Sequence, residues 1–263
     1  MIKLNNLNFK NITEDLLEIF LKAGEIAKEI SKRGVKITIK ADNTPVTDGD
    51  IAIDKLLKEK IKTITSNIPI ISEETVDLKQ NVKIKEKDFW LIDPIDGTRD
   101  YISKKDEYTL NAALIIGLKP AIGIIYAPAK KRLFFSYGKN SAFEINNGIK
   151  KILNFKKINK NEIIGLKNSS NTPTEVLDIY KKHNVSQTIR MSSSLKFCIL
   201  AAGEADIYAA KARAYEWDIA AGHAILDHAG GTITTHKGEE FLYGKNQYKN
   251  LPIVAKRTEN LKE

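Results

Sequence analysis

The sequence has little cysteine and no long apolar run, and these two deficits exclude several classes of protein. Its single cysteine among 263 residues is Cys198, so an internal disulfide framework is impossible. The apolar surroundings of that residue, LKFCIL, indicate a buried structural thiol rather than a nucleophile. No apolar stretch approaches the ~20 residues of a membrane-spanning helix, and the start lacks the charged-then-apolar pattern of a signal peptide. We therefore expect a soluble protein of a reducing compartment, with the cytoplasm as the default.

Zinc-binding patterns and internal repeats are also missing. The four histidines form no HExxH motif and no paired Cys/His pattern. No self-similarity at the periods of solenoid proteins and no low-complexity linker is present. Zinc enzymes and repeat proteins are therefore disfavoured.

The formal net charge of +9 raises the question of an anionic partner. The lysines are spread along the chain, as in KKDE, KKRL and YKKH, and aromatic residues do not interleave with them in a stacking pattern. A generally lysine-rich surface is the favoured interpretation, and no nucleic acid polymer is expected as a partner. The charge is compatible with a small substrate rich in phosphate.

Apolar periodicity predicts helices and then strands in the first half. Residues 14–31 carry a helical stripe, with Asn11 as the expected N-cap because a glutamate follows three residues later. Residues 48–66 repeat the helical pattern. Short apolar runs at 68–72 and 89–92 are better interpreted as strands. Four further apolar segments separated by Gly, Pro, Lys and Asn predict a meander of hairpins.

The second half alternates predicted strands and helices. Helices are expected near 173–183, 194–203 and 217–229, and the last ends at Gly230-Gly231, as helix C-termini often do. The class is therefore mixed α/β. We place a soft boundary near residue 150, in the lysine-rich segment NGIKKILNFKKIN. It separates an N-terminal α+β half, 1–150, from a C-terminal α/β half, 151–263.

The stretch FWLIDPIDGTRDY places two acidic residues, Asp93 and Asp96, at the end of an apolar run. Aspartate before proline and Asp-Gly both favour turns, so the pattern alone does not distinguish a turn from a functional site. Two further acids, Glu73 and Glu74, directly follow the apolar run that ends at Ser72. Acidic residues stand at two expected helix starts, Asp50 and Asp218, where a capping box with Thr47 and the helix dipole are the structural alternatives.

Carboxylates presented together at the ends of apolar elements would repel one another and raise their own pKa values. A hard divalent cation removes that conflict. Mg²⁺ prefers oxygen ligands, needs few protein carboxylates and keeps substrate phosphate oxygens in its shell. The acidic residues therefore favour a magnesium site that acts on a phosphate ester, because divalent cations neutralise the ester and lower the pKa of a bound water.

Four segments in order identify a resemblance to the inositol monophosphatase superfamily of Mg²⁺-dependent phosphatases. They are ITIKADNTPVTDGD (37–50), ISEE (71–74), WLIDPIDGTRDY (90–101) and EWDIAAGHAILDHAGG (216–231). The resemblance covers nearly the whole chain. It implies a layered αβαβα sandwich with the site between its halves, most metal ligands in the first half and the specificity residues with Asp218 in the second.

The resemblance also implies residue roles. Two or three Mg²⁺ ions would be ligated by Glu73, Asp93, the backbone carbonyl of Ile95, Asp96 and Asp218. Asp50 and Thr98 would orient and deprotonate the attacking water, with Glu73 assisting. Gly97 and Thr98 would offer backbone N–H groups to the phosphate, and Asp218 would also face the substrate.

The segment RMSSSLKF is similar to that of the bisphosphate nucleotidase branch of the superfamily. Serines before a helix can cap it, and a solvated lysine there is a structural alternative. In that branch Ser193 and Lys196 would contact the phosphate that is not cleaved, with Arg190 a weaker candidate. The branch often carries an arginine close to the tyrosine of ADIY, whereas here Lys211 and Arg213 are the nearest basic residues.

The expected activity is hydrolysis of 3′-phosphoadenosine 5′-phosphate to AMP and phosphate, extending to the 5′-phosphosulfate analogue, in sulfur metabolism. The alternative within the superfamily is a sugar phosphatase acting on inositol monophosphate or fructose 1,6-bisphosphate. A basic nucleic-acid-binding protein, the alternative from a different class, would bind long polymers in a salt-sensitive way and has no use for the acidic residues. The resemblance further implies lithium inhibition. A homodimer and peripheral attachment at the inner face of the membrane stay open.

Overall fold

A computed structural model describes residues 7–77, 86–154, 162–259 and 261. The α-helices of these residues are α1 (Phe9–Arg33), α2 (Asp48–Ile64), α3 (Thr98–Ile102), α4 (Thr174–Lys182), α5 (Leu195–Ala201) and α6 (Ala220–His228). The strands of the first half are β1 (Ile37–Ile39), β2 (Pro45–Thr47), β3 (Ile70–Ser72), β4 (Phe89–Asp96), β5 (Thr109–Ile116), β6 (Lys119–Ala127), β7 (Arg132–Ser136), β8 (Ala142–Asn146) and β9 (Ile149–Leu153). Those of the second half are β10 (Ile163–Lys167), β11 (Val185–Arg190), β12 (Ile207–Ala210), β13 (Thr232–Thr235) and β14 (Ile253–Lys256).

The predicted meander is confirmed as part of a seven-stranded sheet. Strands β3 to β9 are neighbours in chain order, and every pair is antiparallel except β3 with β4. The central strands β4 and β5 are buried on both faces. This explains why both appear in the sequence as nearly continuous apolar runs rather than as alternating patterns.

Five layers result, and the expected αβαβα sandwich is confirmed. Helices α1 and α2 share a core with one face of the seven-stranded sheet, which includes Trp90 and Ile92 of β4. The opposite face, with Phe89 and Leu91, shares a second core with α5 and α6. Beyond these helices lies a sheet in the order β11-β10-β12-β14-β13, and Val176 of α4 packs on its outer side.

Small residues let the middle helices approach the first sheet closely. A Cβ atom added to Gly123 of β6 would lie 2.3 Å from the carbonyl oxygen of Ala221 in α6. A Cβ on Gly222 would lie 2.4 Å from the ring of Phe197 in α5. Gly123 is therefore required where α6 packs against the first sheet, and Gly222 where α6 packs against α5.

The second sheet is mixed. Strand β10 pairs in parallel with β11 and β12, while β14 pairs antiparallel with β12 and β13. The first sheet ends at Leu153 and the second begins at Ile163. Strand β9 thus lies within the lysine-rich segment where the sequence suggested a boundary, and positions 155–159 of that segment lie outside the described residues.

The observed helix ends show that two predictions about helix boundaries are wrong and that one is confirmed. Helix α1 begins at Phe9, and its N-cap is Asn8, whose side chain accepts the N–H of Asn11, so Asn11 is not the cap. The predicted helix over 217–229 divides into a short 3₁₀ turn, Glu216–Asp218, and α6. The capping box of Thr47 with Asp50 is present at the start of α2, as predicted.

Cys198 is buried within α5, as its apolar neighbours predicted. In the part of the chain that the structure describes, no helix is both long and apolar enough to span a membrane.

Candidate active site

A β-bulge explains why two aspartates follow the apolar run of β4. Asp93 is paired with Asn111, and Asp96 with Thr109, so three steps along β4 match two steps along β5. Side chains two residues apart on β5 point to the same face. The extra residue therefore brings Asp93 and Asp96 onto that face, and Pro94, which has no N–H to pair, lies within the irregular stretch. The turn interpretation is wrong, because β4 continues through Asp96.

Three carboxylates from separate elements meet at this end of β4. Oxygen atoms of Glu73, Asp93 and Asp218 lie within 4.8 Å of one another. Glu73 directly follows β3, and its N–H donates to the carbonyl of Ile92 at 3.1 Å, which holds it beside β4. Asp218 ends the 3₁₀ turn before α6, where its carboxylate accepts the N–H of Tyr215 at 2.8 Å. The sequence predicted this convergence, and the geometry confirms it for these three residues.

The cluster is electrostatically unfavourable without a cation. Burial is the main cause that raises the pKa of Asp93 and that of Asp218 well above the usual range, and the neighbouring acidic charges add to it. Burial also raises the pKa of Glu73, only partly offset by Lys40. Both carboxylate oxygens of Asp93 are buried and have no hydrogen-bond partner among the residues that the structure describes.

These residues fit a hard divalent cation. Buried polar atoms in proteins are nearly always paired, and an all-oxygen set of carboxylates is the donor chemistry that Mg²⁺ prefers. A bound cation would satisfy the two Asp93 oxygens and would turn the repulsion among the three acids into attraction.

Lys40 contacts the cluster and was not singled out from the sequence. It follows β1, and its ammonium lies 3.3 Å from Glu73 and 2.8 Å from Glu74. Burial alone would lower the pKa of Lys40, but the charges of Glu73 and Glu74 outweigh burial and raise it. Its segment carries the family resemblance, yet nothing in the spacing indicates that the β1–β2 hairpin reaches the acids.

Asp50 and Thr98 lie together, as the resemblance implied. The Thr98 hydroxyl is 3.4 Å from Asp50 Oδ1 and 3.1 Å from the carbonyl oxygen of Ile95. The other Asp50 oxygen accepts the N–H of Thr47 at 2.8 Å and its hydroxyl. Burial raises the pKa of Asp50 to about 6, although the Thr47 bonds lower it. An acid with that pKa can accept a proton near neutral pH.

Asp96 joins the acidic cluster to the second half of the chain. Its carboxylate accepts the N–H groups of Ser194 and Gly97, and it lies outside the group of mutually close oxygens formed by the other three acids. Burial raises the pKa of Asp96, while the charge of Lys196 and the two N–H groups partly offset that effect.

Gly97 and Ser193 are neighbours across the two halves. Gly97 adopts a left-handed conformation with φ of 88°, and a Cβ added there would lie 3.6 Å from the Cβ of Ser193. The two residues that the resemblance assigned to different phosphates are therefore close enough to serve one bisphosphate ligand. Thr98, which follows Gly97, begins α3.

Lys196 is buried beside this junction. Its ammonium donates to the carbonyl of Ser193 and lies 5.3 Å from the centre of the Tyr208 ring. Burial lowers the pKa of Lys196 to about 8, although Asp96 and Asp218 favour its charged form. A solvated surface lysine is therefore excluded. Ser194 is not a side-chain cap of α5, since its hydroxyl lies 2.7 Å from Asn111 and 2.8 Å from Thr109.

The remaining basic candidates lie on exposed surface. Arg190 donates weakly to the Asn168 carbonyl at 3.4 Å. Lys211 forms an ion pair with Glu175 of α4 at 2.9 Å, so its charge is paired on the exposed surface and not with the acidic cluster. Glu216, although adjacent to the Trp-Asp pair, is a structural acid: it accepts the N–H groups of Gly244 and Lys245 at 2.8 Å each.

The chain matches known proteins over nearly all of its length. Residues 10–262 match the inositol monophosphatase family. The curated 3′(2′),5′-bisphosphate nucleotidase CysQ of Buchnera aphidicola is 35% identical over 245 residues, covering 91% of this chain and 90% of that protein. The protein of the same name from Salmonella typhimurium is 31% identical over 232 residues, covering 88% and 93%.

Solved structures agree in fold. CysQ from Bacteroides thetaiotaomicron, a bacterial member of the inositol monophosphatase family, superposes with a TM-score of 0.77 at 29% identity, covering 95% of this chain and 98% of that one. The inositol monophosphatase from Anabaena shares the fold with a TM-score of 0.76 at 21% identity, covering 97% and 94%. The chain belongs to the inositol monophosphatase family.

Proposed function

We propose that this chain is a Mg²⁺-dependent 3′(2′),5′-bisphosphate nucleotidase that hydrolyses 3′-phosphoadenosine 5′-phosphate to AMP and phosphate. The observation that carries the hydrolase activity is the buried Asp93 carboxylate beside Glu73 and Asp218, which has no hydrogen-bond partner in the described part of the chain. The substrate class rests on the curated relatives of that name, which are 31% and 35% identical to this chain over most of both lengths.

Glu73, Asp93, Asp96, Asp218 and the Ile95 carbonyl are the residues that would hold the ions. Bound Mg²⁺ would supply charge neutralisation of the phosphate and a lowered pKa of water. The chain supplies rigid positions for these ligands, since three of the five lie on the bulged end of one central strand.

Thr98 and Asp50 are the proposed route for the proton of the attacking water. A water that donates to the Thr98 hydroxyl can pass its proton on, because that hydroxyl in turn faces Asp50. Asp50 is held in place by Thr47 and is ionised above about pH 6. We infer that Glu73, at the edge of the same cluster, assists in orienting the water.

Ser193 and Lys196 are the proposed contacts of the phosphate that is not cleaved. Lys196 is the buried cation at the junction, and Ser193 lies next to Gly97, which with Thr98 would face the scissile phosphate. A sugar monophosphate has no second phosphate to use these groups. The 5′-phosphosulfate analogue carries a phosphate at the same position and is expected to be accepted.

A cytoplasmic location and the division into halves at residue 150 are further proposals that rest on the sequence, which does not distinguish a monomer from a homodimer.

Steady-state phosphate release tests the proposed function. Purified protein is assayed on 3′-phosphoadenosine 5′-phosphate, inositol 1-phosphate and fructose 1,6-bisphosphate, with Mg²⁺ or with EDTA. We expect the highest kcat/KM on the nucleotide, dependence on Mg²⁺, and a loss of activity in Asp93→Asn. Asp178→Asn, on the exposed surface of α4, is the matched control and should behave as wild type.

Two results would contradict the proposal. A higher kcat/KM on either sugar phosphate would replace the nucleotidase by the sugar-phosphatase alternative. Turnover that persists in Asp93→Asn or in EDTA would remove the metal-dependent mechanism. Millimolar lithium at constant Mg²⁺ should inhibit the reaction, and an unchanged rate would separate this chain from its family in that property.

A further inference from the structure

We propose that Glu107 is a positioning residue that holds the segment Ser192–Ser194 in the conformation that binds the phosphate that is not cleaved. This inference rests on the proposed nucleotidase function. Glu107 lies between α3 and β5, in the half of the chain that carries most of the acidic residues. Neither the family resemblance nor the spacing of the sequence pointed to it.

Glu107 bonds directly to the serine segment from across the molecule. One of its carboxylate oxygens accepts the backbone N–H of Ser192 at 2.9 Å and the Ser192 hydroxyl at 3.2 Å. The same hydroxyl also lies within hydrogen-bonding reach of Asp100, and its single proton serves one of the two carboxylates at a time. The bond from the backbone N–H is the shorter of the two. Glu107 therefore fixes the peptide that leads into Ser193.

The conformation of Ser193 requires such support. Its φ is 53°, in the left-handed region that residues with a side chain rarely adopt. Strained residues of this kind persist only where the surroundings hold them. Glu107 accepts the backbone N–H of Ser192, which precedes Ser193, and Asp96 accepts the backbone N–H of Ser194, which follows it. The strained serine is thus clamped on both sides by carboxylates from the first half.

A shift of this segment would displace the groups proposed to contact the phosphate. The ammonium of Lys196 donates to the Ser193 carbonyl, so its position follows that of Ser193. Ser193 also faces Gly97, where an added Cβ would lie 3.6 Å from Ser193 and 3.7 Å from the Glu107 carbonyl oxygen. Glu107, the strained Ser193 and Gly97, which would face the scissile phosphate, therefore lie next to one another.

The charge of Glu107 has opposing effects at this site, because it favours the charged form of Lys196 but also acts on the anion. A carboxylate close to an anion-binding segment repels the anion. The segment depends instead on the position of the Glu107 carboxylate oxygen as a hydrogen-bond acceptor. Glutamine keeps an acceptor oxygen and loses the charge, whereas alanine loses both, and this difference separates positioning from electrostatics.

Kinetics on two substrates test the inference. Wild type, Glu107→Ala, Glu107→Gln and the charge control Asp106→Asn are compared on 3′-phosphoadenosine 5′-phosphate and on 3′-AMP, which lacks the 5′-phosphate. We expect Glu107→Ala to raise KM for the bisphosphate about tenfold, with kcat and the KM for 3′-AMP within about twofold of wild type. Glu107→Gln should retain a KM at or below that of wild type, and Asp106→Asn should match wild type.

Equal effects of Glu107→Ala on both substrates, or no effect on either, would overturn the inference. A raised KM in Glu107→Gln that equals the one in Glu107→Ala would overturn it as well, because the charge would then be what matters.

Hydrogen–deuterium exchange keeps this test separate from that of the proposed function. Peptides that cover residues 190–197 should exchange faster in Glu107→Ala than in wild type, and Glu107→Gln should match wild type. If wild type does not hydrolyse the bisphosphate, the proposed function fails, and the exchange data still decide whether Glu107 holds the segment. Unchanged exchange in Glu107→Ala would refute the positioning role whatever the substrate.

Discussion

Two buried acids on the same sheet, Glu144 on β8 and Asp93 on β4, have opposite surroundings. Glu144 is fully buried and lies 2.6 Å from Arg132 and 2.6 Å from Lys151. Burial raises its pKa, but the hydrogen bonds from these two cations outweigh burial and hold the pKa of Glu144 below its usual value. Asp93 is as deeply buried and lies among other acids, and none of the described residues forms a hydrogen bond with its carboxylate.

The difference separates a structural acid from a functional one. A buried charge costs free energy unless it is paired, and the fold supplies the partners of Glu144 from within the same sheet. At Asp93 the fold supplies further carboxylates, and burial with their charges raises its pKa. Perturbed acids that lack a protein partner indicate a ligand that the chain alone does not provide.

The largest expected effect concerns activity. Asp93→Asn should lower kcat/KM on 3′-phosphoadenosine 5′-phosphate by on the order of 10³, since the loss of a metal ligand removes several kcal/mol of transition-state stabilisation. Glu144→Gln should stay within about twofold of wild type, because a paired structural acid takes no part in the reaction. Comparable losses of kcat/KM in both variants would contradict the distinction between a functional and a structural acid.

The same two substitutions should change stability in opposite directions. In metal-free protein at pH 7.5, Glu144→Gln should reduce the free energy of unfolding by about 2 kcal/mol, because hydrogen bonds between charged partners are lost. Asp93→Asn should increase it, because an unpaired buried charge is removed. Urea unfolding followed by circular dichroism measures both. A destabilised Asp93→Asn protein would show that its carboxylate is already compensated.

The pH dependence of stability should reflect the acidic cluster. Folding raises the pKa values of Glu73, Asp93 and Asp218, and that of Asp50 to about 6. The stability that these four acids contribute is therefore fully present below their unfolded pKa values, ~4. It is lost as pH rises through their folded pKa values. Burial lowers the pKa values of His223 and His228 to about 3 and about 4, which opposes this loss over the same interval in wild type and in Asp93→Asn alike. The Tm of metal-free wild type should therefore fall relative to that of Asp93→Asn between pH 5 and pH 7.

Added Mg²⁺ provides the control for that prediction. It should raise Tm more at pH 7 than at pH 5, because the cation binds the ionised acids. A metal-free wild-type Tm that rises relative to that of Asp93→Asn over this interval would contradict the assigned charges.

The smallest expected effect concerns Thr47. Asp50 is intermediate between the two acids compared above: it is buried, but Thr47 donates to it and lowers its pKa. Thr47→Val removes the hydroxyl, so the acid limb of the pH–rate profile should move above about pH 6, and stability should fall by about 1 kcal/mol through loss of the cap. Thr63→Val, on the exposed surface of α2, is the control. An unchanged acid limb would show that Asp50 does not govern it.

Much of the fold was predictable because local patterns and packing agree. The apolar runs of β4 to β8 and the capping box at Thr47 specify their elements directly. Strand β9 was missed, because four of its five residues are exposed and its lysines resemble a linker. The cap of α1 was predicted at Asn11, three residues late, because the capping-box spacing to Glu14 is met there while the helix already begins at Phe9.

The acidic residues of the site and the convergence of three of them were predictable, but the bulge that orients Asp93 and Asp96 was not. The sequence shows the two aspartates around Pro94, while the bulge that turns them to one face depends on the register with β5. Lys40 and Glu107 were missed for a related reason. Each contacts residues far away in the chain, 33 and 85 positions on, and such contacts leave no local pattern.

Calorimetric titration of Mg²⁺ into the metal-free protein at pH 7.5 tests the central claim most directly. Wild type and Asp178→Asn should show saturable binding, and Glu73→Gln, Asp93→Asn and Asp218→Asn should each weaken it at least about tenfold. Binding in the three variants that equals that of wild type would contradict the account, since these carboxylates would then not form the cation site.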